Sequence, residues 1–460
     1  VLLARLLAPE DFGLFGIALL ALSMIEAFSE TGFNAAIIQK KGDVRPYLDT
    51  AWTVQVIRGL FCGLILLIIA PYVAAFFGES GATSLLQALA LVVILRGLVN
   101  TGVLYFRKEL EFHKEFIYMF SGTLVDLGVA IPAALILRNA WALILGLVTG
   151  QFARTVVSYF VHPYRPHLRW EWASARELFS FGKWILGSSV LGFLAIYGGN
   201  VFVGKVLGAA ALGLYQMAFQ LSNTVATEVT GIVSQVAFPT FSKLQNEAGK
   251  LQQLFFATLE TVSAIVLPIT GGIIVFGPEF TSLFLGESWM PMIPALQLLA
   301  LSGLVLSLVA VGGPLFWGVG RPSISFWMNV IRVAVMAVCI HPLATSFGLA
   351  GAAAAVFLGI TATIPIFIKA ILSIVRGTVL QLWNTLWPSV SATIISSMIV
   401  LSVRNLIAER GPSIFIGMAA LWGMCYLIVS YGQWRILRVG ALAVLKRIKE
   451  QQDGHPHKSD

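Results

Sequence analysis

The sequence predicts an all-α polytopic membrane protein, and three observations carry that prediction. Of 460 residues, 58% are hydrophobic and 11% charged, whereas soluble domains carry about 25% charged residues. Apolar runs near or above the ~20 residues that cross a bilayer as a helix recur from one end of the chain to the other. The connections between them are short and rich in charge, Gly and Pro, leaving no room for a soluble module of ordinary domain size. Backbone groups in lipid must be satisfied within the chain itself, which makes each run a helix.

The elements follow in order. The opening stretch stops at Arg5 and reads as the end of an incomplete first helix. Glu10 and Asp11 then mark a helix start, where acids cap, and thirteen spans are expected near 12–38, 50–77, 83–106, 115–137, 140–162, 178–203, 209–238, 252–277, 291–318, 323–344, 347–371, 380–403 and 412–434. With the stub this makes about fourteen. The longest connection, 163–177, holds Arg165, Arg169, Trp170, Trp172 and Arg176, a composition favoured at headgroup level. It divides the chain into a six-helix bundle over 1–162 and a second over 178–375. Two additional helices over 376–434 and a basic tail over 435–460 complete it.

Lysine and arginine set the orientation. Lys40, Lys41, Arg45, Arg107, Lys108, Lys114, Arg165, Arg169, Arg176, Lys243, Lys250, Arg321, Arg376 and the tail fall on one side; Arg5, Arg138, Lys205, Arg404 and Arg410 fall on the other. The positive-inside rule makes the first side, and the C-terminus, cytoplasmic. The net charge of +8 is spread over many loops, so it expresses topology rather than nucleic-acid binding.

The chain also repeats itself. ARLLAPEDFGLFGIA from Ala4 lies over GKVLGAAALGLYQMA from Gly204, pairing Arg5 with Lys205 and Gly13 with Gly213 at an offset of 200. LQALAL from Leu86 lies over LQLLAL from Leu296 at an offset of 210. Six spans, an even number, separate the paired helices, so the halves share one orientation and form a parallel repeat about an axis along the membrane normal.

Ionisable residues in spans are costly and face a partner or an aqueous cavity. On the helix from 209, Gln216, Gln220, Asn223, Thr227, Thr230 and Ser234 recur at steps of three and four, on one face. Ser23, Glu26, Glu30 and Asn34 make a similar stripe on the paired helix. Two such stripes at a repeat junction suit a water-filled cleft, although polar groups bonding helix to helix in a dry bundle would give the same pattern. Arg58, Arg96, Arg154, Lys183 and Arg332 are candidates for holding phosphate groups, for which guanidinium is suited. Glu26, Asp126, Glu228 and Glu260 are candidates for coupling to a proton or sodium gradient.

Other chemistries lack their residues. The Gly-Lys pairs at 182, 204 and 249 are followed by Trp, Val and Leu, so there is no phosphate-binding loop of the GxxxxGK[ST] type. HExxH, Cys pairs at metal spacing and G-x-S-x-G are absent too. Cys62, Cys339 and Cys425 all lie in apolar runs. No cofactor, metal or catalytic residue is expected, and the chain reads as a transporter rather than an enzyme.

Leu3 to Gln39, LARLLAPEDFGLFGIALLALSMIEAFSETGFNAAIIQ, resembles the first loop and second helix of bacterial polysaccharide exporters. These are the oligosaccharide flippases of the multidrug, oligosaccharidyl-lipid and polysaccharide exporter superfamily. VGKVLGAAALGLYQMAFQLSN from Val203, FPTFSKLQ from Phe238 and LGESWMPMIPALQLLAL from Leu285 are similar to recurrent segments of the same family. The resemblance implies a flippase of the inner membrane. It would move an undecaprenyl-pyrophosphate-linked repeat unit to the periplasmic leaflet by alternating access, for lipopolysaccharide or exopolysaccharide synthesis, beside polymerase or export machinery. The family often carries an acid before the G-[KR]-x-L-G segment where this chain has Asn200, which shifts the expected coupling role to Glu228 or Glu26. The competing expectations are an organic-cation exporter of the same superfamily and a membrane polysaccharide polymerase or ligase.

Overall fold

The computed structural model describes residues 2–29, 45–108, 111–244, 247–321, 323–406 and 411–453. Its helices are α1 (Leu2–Leu6), α2 (Pro9–Ser29), α3 (Arg45–Phe77), α4 (Ala82–Gly97), α5 (Leu104–Lys108), α6 (Phe112–Leu137), α7 (Trp141–Val161), α8 (Trp172–Leu207) and α9 (Ala209–Leu244). There follow α10 (Ala248–Phe280), α11 (Ile293–Ala310), α12 (Gly312–Gly318), α13 (Ser323–Thr361), α14 (Ile364–Val375), α15 (Val379–Leu406) and α16 (Pro412–Asp453). Among the described residues there is no strand, and ten helices are long and apolar enough to cross a membrane. The chain is thus an all-α polytopic membrane protein.

Where α4 departs from its expected span, a local polar group is the cause. The run expected over 83–106 stops at Gly97, because the Asn100 side chain accepts from Gly102 N–H at 2.8 Å and caps a 3-10 turn over Thr101–Val103. A short side chain that bonds its own backbone competes in this way with helix continuation. The two spans expected over 323–344 and 347–371 are divided at Gly348, whose φ 57° and ψ −132° are not helical, so α13 is two helical stretches joined at a kink, and a further break after Thr361 separates α14. Asp11 caps as expected: its carboxylate accepts from Ala8 N–H at 3.0 Å and from Ala140 N–H at 3.1 Å.

The chain packs into two compact units that interleave along the sequence. Unit one comprises Val1–Gln220, Phe284–Leu298 and Phe326–Ala362; unit two comprises Leu221–Leu283, Leu299–Ser325 and Thr363–Asp460. In unit one, Leu7, Ala134, Ala142 and Leu143 are buried together, with Phe12 and Phe15 against them. Trp289, fully buried, donates from Nε1 to the Ala4 carbonyl at 2.9 Å and meets the Phe12 ring edge-on. Apolar side chains such as Leu124, Ile136, Phe152 and Phe160 point outward and are exposed, as a lipid-facing surface requires. In unit two, α10, α15 and α16 close over Val275, Phe276, Val400, Met418 and Trp422. Glu279 and Arg404 form an ion pair there.

The internal repeat has counterparts in unit one. A methyl group on Gly13 would collide with the Ala209 carbonyl, and one on Gly213 with the Pro9 carbonyl. Ala209 is itself the offset-200 equivalent of Pro9, so the contact between α2 and α9 is reciprocal. Only glycine allows backbones this close. The flanking cations are equivalent as well. Arg5 Nε donates to the Phe284 carbonyl at 2.9 Å, and Lys205 Nζ donates to the Phe76 carbonyl at 2.5 Å. The two acceptors open the matching segments FFGES (76–80) and FLGES (284–288). Gly78 and Gly286 in those segments both have positive φ, 76° and 109°.

Candidate functional site

Four of the charged residues singled out in the sequence meet in unit one. Glu26 of α2 forms an ion pair with Arg96 of α4, the two side chains being 39% and 35% exposed. Gln55 of α3 holds the end of α4 by donating to the Arg96 carbonyl at 2.9 Å. Arg154 of α7 lies within electrostatic reach of both Arg96 and Asp126 of α6, and its Nη2 donates to Thr123 Oγ1 at 3.2 Å. Small residues make this proximity possible: a methyl on Gly150 of α7 would lie 2.7 Å from Asp126 Cβ. Glu26 and Arg96 are thus in direct contact, while Arg154 and Asp126, on the two neighbouring apolar helices, lie within electrostatic range without forming an ion pair of their own. Arg58 of α3 sits nearby, donating to the Ser29 carbonyl at 3.3 Å.

Two arginines taken separately as phosphate ligands and two acids taken separately as coupling groups therefore lie in one electrostatic network, with a single direct ion pair, Glu26–Arg96. Chemically, such a network can exchange partners. A guanidinium that faces a carboxylate can turn to a phosphate oxygen, to which its planar fork is equally matched. An ion pair with both side chains more than one-third exposed is worth about 0–1 kcal/mol, so the exchange costs little.

The stripe on α9 is more occupied locally than its spacing suggests. Gln216 is half-buried and donates to the Gly16 carbonyl of α2 at 3.3 Å. Thr227 Oγ1 donates to the Asn223 carbonyl at 3.0 Å and Thr230 Oγ1 to the Thr227 carbonyl at 3.3 Å, the ordinary back-bonding of helical threonines. Asn223 Nδ2 donates to Ser222 Oγ at 3.4 Å. Gln220 is exposed and Ser23 half-buried. Glu228 and Glu260 are exposed, and Arg332 is buried. Glu30 and Asn34 lie outside the described residues, as do the side chains of Lys183 and Ser234.

A second polar locality was not legible in the sequence. The connector after α7 is strapped to the start of α3: Tyr164 Oη donates to the Asp49 carboxylate, His167 N–H donates to the same carboxylate at 3.0 Å, and Arg169 N–H donates to Thr53 Oγ1 at 3.0 Å. Asn100 Nδ2 adds a bond to the Tyr164 carbonyl at 2.7 Å. Leu48, Tyr105, His162, Pro163 and Tyr164 line a cavity of about 340 Å³ beside it. The His162 ring stacks on Tyr105, centroids 5.6 Å apart, and its Nδ1 accepts from Tyr164 N–H at 3.1 Å. That bond assigns the proton of the neutral ring to Nε2. Burial, then the Lys114 charge, hold His162 below the ordinary imidazole value. Burial, then Asp49, push the Tyr164 hydroxyl well above the usual phenol range. The only sequence signal for the strap was Asp49, a lone acid at the head of an apolar run.

The model of the family described as "Polysaccharide biosynthesis protein" matches residues 2–294, well over half of the chain and including all four members of the charge network. The chain belongs to that family. Among polysaccharide biosynthesis proteins, it is 29% identical over 334 residues to the lipopolysaccharide biosynthesis protein WzxC of Escherichia coli K12, covering 72% of this chain and 68% of WzxC. It is 23% identical over 331 residues to the succinoglycan biosynthesis transport protein ExoT of Rhizobium meliloti, covering 72% of this chain and 67% of ExoT. The fold is that of the lipid II flippase MurJ in an inward closed conformation, with a TM-score of 0.71 over 95% of both chains at 13% identity. This family member is therefore a multi-pass membrane protein of polysaccharide biosynthesis.

Proposed function

We propose that this protein flips a lipid-linked oligosaccharide, an undecaprenyl-pyrophosphate-linked repeat unit, from the cytoplasmic to the periplasmic leaflet of a bacterial inner membrane, for lipopolysaccharide or exopolysaccharide synthesis. The observation that carries the reading is the Glu26–Arg96–Arg154–Asp126 network inside the helices of a polysaccharide biosynthesis family member. The names of its relatives support it, since one is a polysaccharide transport protein and the structural neighbour a lipid II flippase. Stripping water from a pyrophosphate and its sugars is prohibitively costly in hydrocarbon, so a flippase must replace that hydration. In this reading Arg96 and Arg154, with Arg58, take the pyrophosphate while Glu26 is displaced from Arg96. Glu26 reclaims Arg96 on release. Protonation of the freed Glu26, or sodium binding to it, couples the cycle to an ion gradient. The polyprenyl chain stays in lipid, the C-terminus is cytoplasmic by the lysine and arginine distribution, and polymerase machinery receives the product.

The test is complementation of a flippase-deficient strain with the intact gene and with Arg96→Gln, Arg154→Gln and Glu26→Gln. Lipid-linked sugar and surface polymer are followed together, and membrane abundance is checked. The intact gene restores polymer and clears the lipid-linked intermediate, whereas the arginine variants accumulate it. Equal restoration by all variants would overturn the site, and failure of the intact gene across strains supplying several repeat-unit types would overturn the function.

A further inference from the structure

We propose that Arg332, Tyr215 and Asn200 form a binding site for a small monovalent inorganic anion, of the size of chloride, inside unit one. The three residues come from α13, α9 and α8 and are almost fully enclosed, with exposures of 8%, 1% and 1%. Arg332 Nε, Tyr215 Oη and Asn200 Nδ2 are all buried with no hydrogen-bonding partner in the protein, and among the described residues no carboxylate pairs with Arg332. Most buried polar groups in proteins are satisfied. Here three occur in one locality. Tyr215 and Arg332 are close enough to interact electrostatically without bonding to each other. A methyl on Gly199, the neighbour of Asn200, would lie 2.9 Å from Tyr215 Oη, and one on Gly359 would lie 2.7 Å from the Arg332 carbonyl. Gly198 packs against Met336, one turn beyond Arg332.

The chemistry of the set is one-sided. Guanidinium and carboxamide N–H groups and a phenol O–H all donate, and the guanidinium can accept nothing. A buried charge persists when it is paired and hydrogen-bonded. Water would satisfy the donors but leave the charge uncompensated, whereas one monovalent anion does both. A lipid-linked sugar does not reach groups this enclosed, so the site is independent of the transport reading.

The test uses the purified full-length protein in detergent, with chloride exchanged for gluconate at constant ionic strength. Thermal unfolding of the wild type is expected to shift upward saturably with chloride, by roughly 2–4 °C, and bromide is expected to substitute. Arg332→Gln keeps donors but removes the charge. It is expected to lose the chloride response and to melt in gluconate no lower than the wild type. Tyr215→Phe removes one donor and is expected to weaken the half-saturating chloride concentration about tenfold. An unresponsive wild type, or a full response in Arg332→Gln, would overturn the proposal. A tighter chloride response in Tyr215→Phe would instead make a tyrosinate the counter-ion, and a larger response to inorganic phosphate would make the site one for phosphate; each overturns it.

Discussion

Replacing Gly13 with Ala tests the reciprocal crossing of α2 and α9. The new methyl group meets the carbonyl of Ala209, which is backbone and cannot rotate away, so the two helices must separate. Overpacking of this kind costs about 1–3 kcal/mol, equivalent to a roughly five- to 150-fold shift against the closed crossing. Gly213→Ala does the same from the other side, against Pro9. Because both act on one contact, the double variant should cost less than the sum by about 0.5 kcal/mol or more. Thermal unfolding in detergent measures the stability term. Opening is read separately by an impermeant maleimide on whole cells, using Ala209→Cys in a background where Cys62, Cys339 and Cys425 are replaced. Labelling should rise about fivefold or more when Gly13→Ala is added. Unchanged melting together with unchanged labelling would refute the close crossing, and strictly additive costs would refute its reciprocity.

Three further outcomes follow. Glu26→Gln should leave the unfolding free energy within about 1 kcal/mol of wild type yet increase retention of inorganic pyrophosphate, measured by equilibrium dialysis; weaker retention would deny the partner exchange. Glu279→Gln removes the partner of Arg404, whose side chain is 30% exposed and can be solvated in part, so it should destabilise by about 1–3 kcal/mol, with Glu279→Leu/Arg404→Met recovering most of the loss in a thermal melt. His162 has a folded-state value held below its unfolded one by burial and Lys114, so its contribution is fully present above the unfolded pKa. It is lost as pH falls below about 6.5 toward the folded value; His162→Gln should flatten the melting profile over that window.

Composition and apolar run length suffice for the helices because burial in lipid leaves a long apolar chain little other choice. They do not reveal where a helix stops for a side chain, as at Asn100. The charged residues of the network were legible one by one, since a charge in an apolar run stands out. Their pairing was not: Glu26 and Arg96 are 70 positions apart, and only the packing of α2 on α4 joins them. Periodicity likewise places Gln216 and Thr227 on one face of α9 without saying that one hydroxyl turns to its own helix and one carboxamide to Gly16. The repeat at Gly13 and Gly213 was visible. The FFGES and FLGES segments that complete it had slipped to a different offset, 208, beyond a search at fixed spacing.

The connector between α7 and α8 has a mechanical consequence. A free linker absorbs displacement, because its ends wander at small entropic cost. This one is pinned to Asp49 and Thr53 through Tyr164, His167 and Arg169, leaving two residues between the last pin and Trp172, where α8 begins. It therefore behaves as a stiff coupling rod. A tilt at the head of α3 is delivered to the head of α8 nearly undiminished, and cutting the Asp49 bonds would convert the rod into slack.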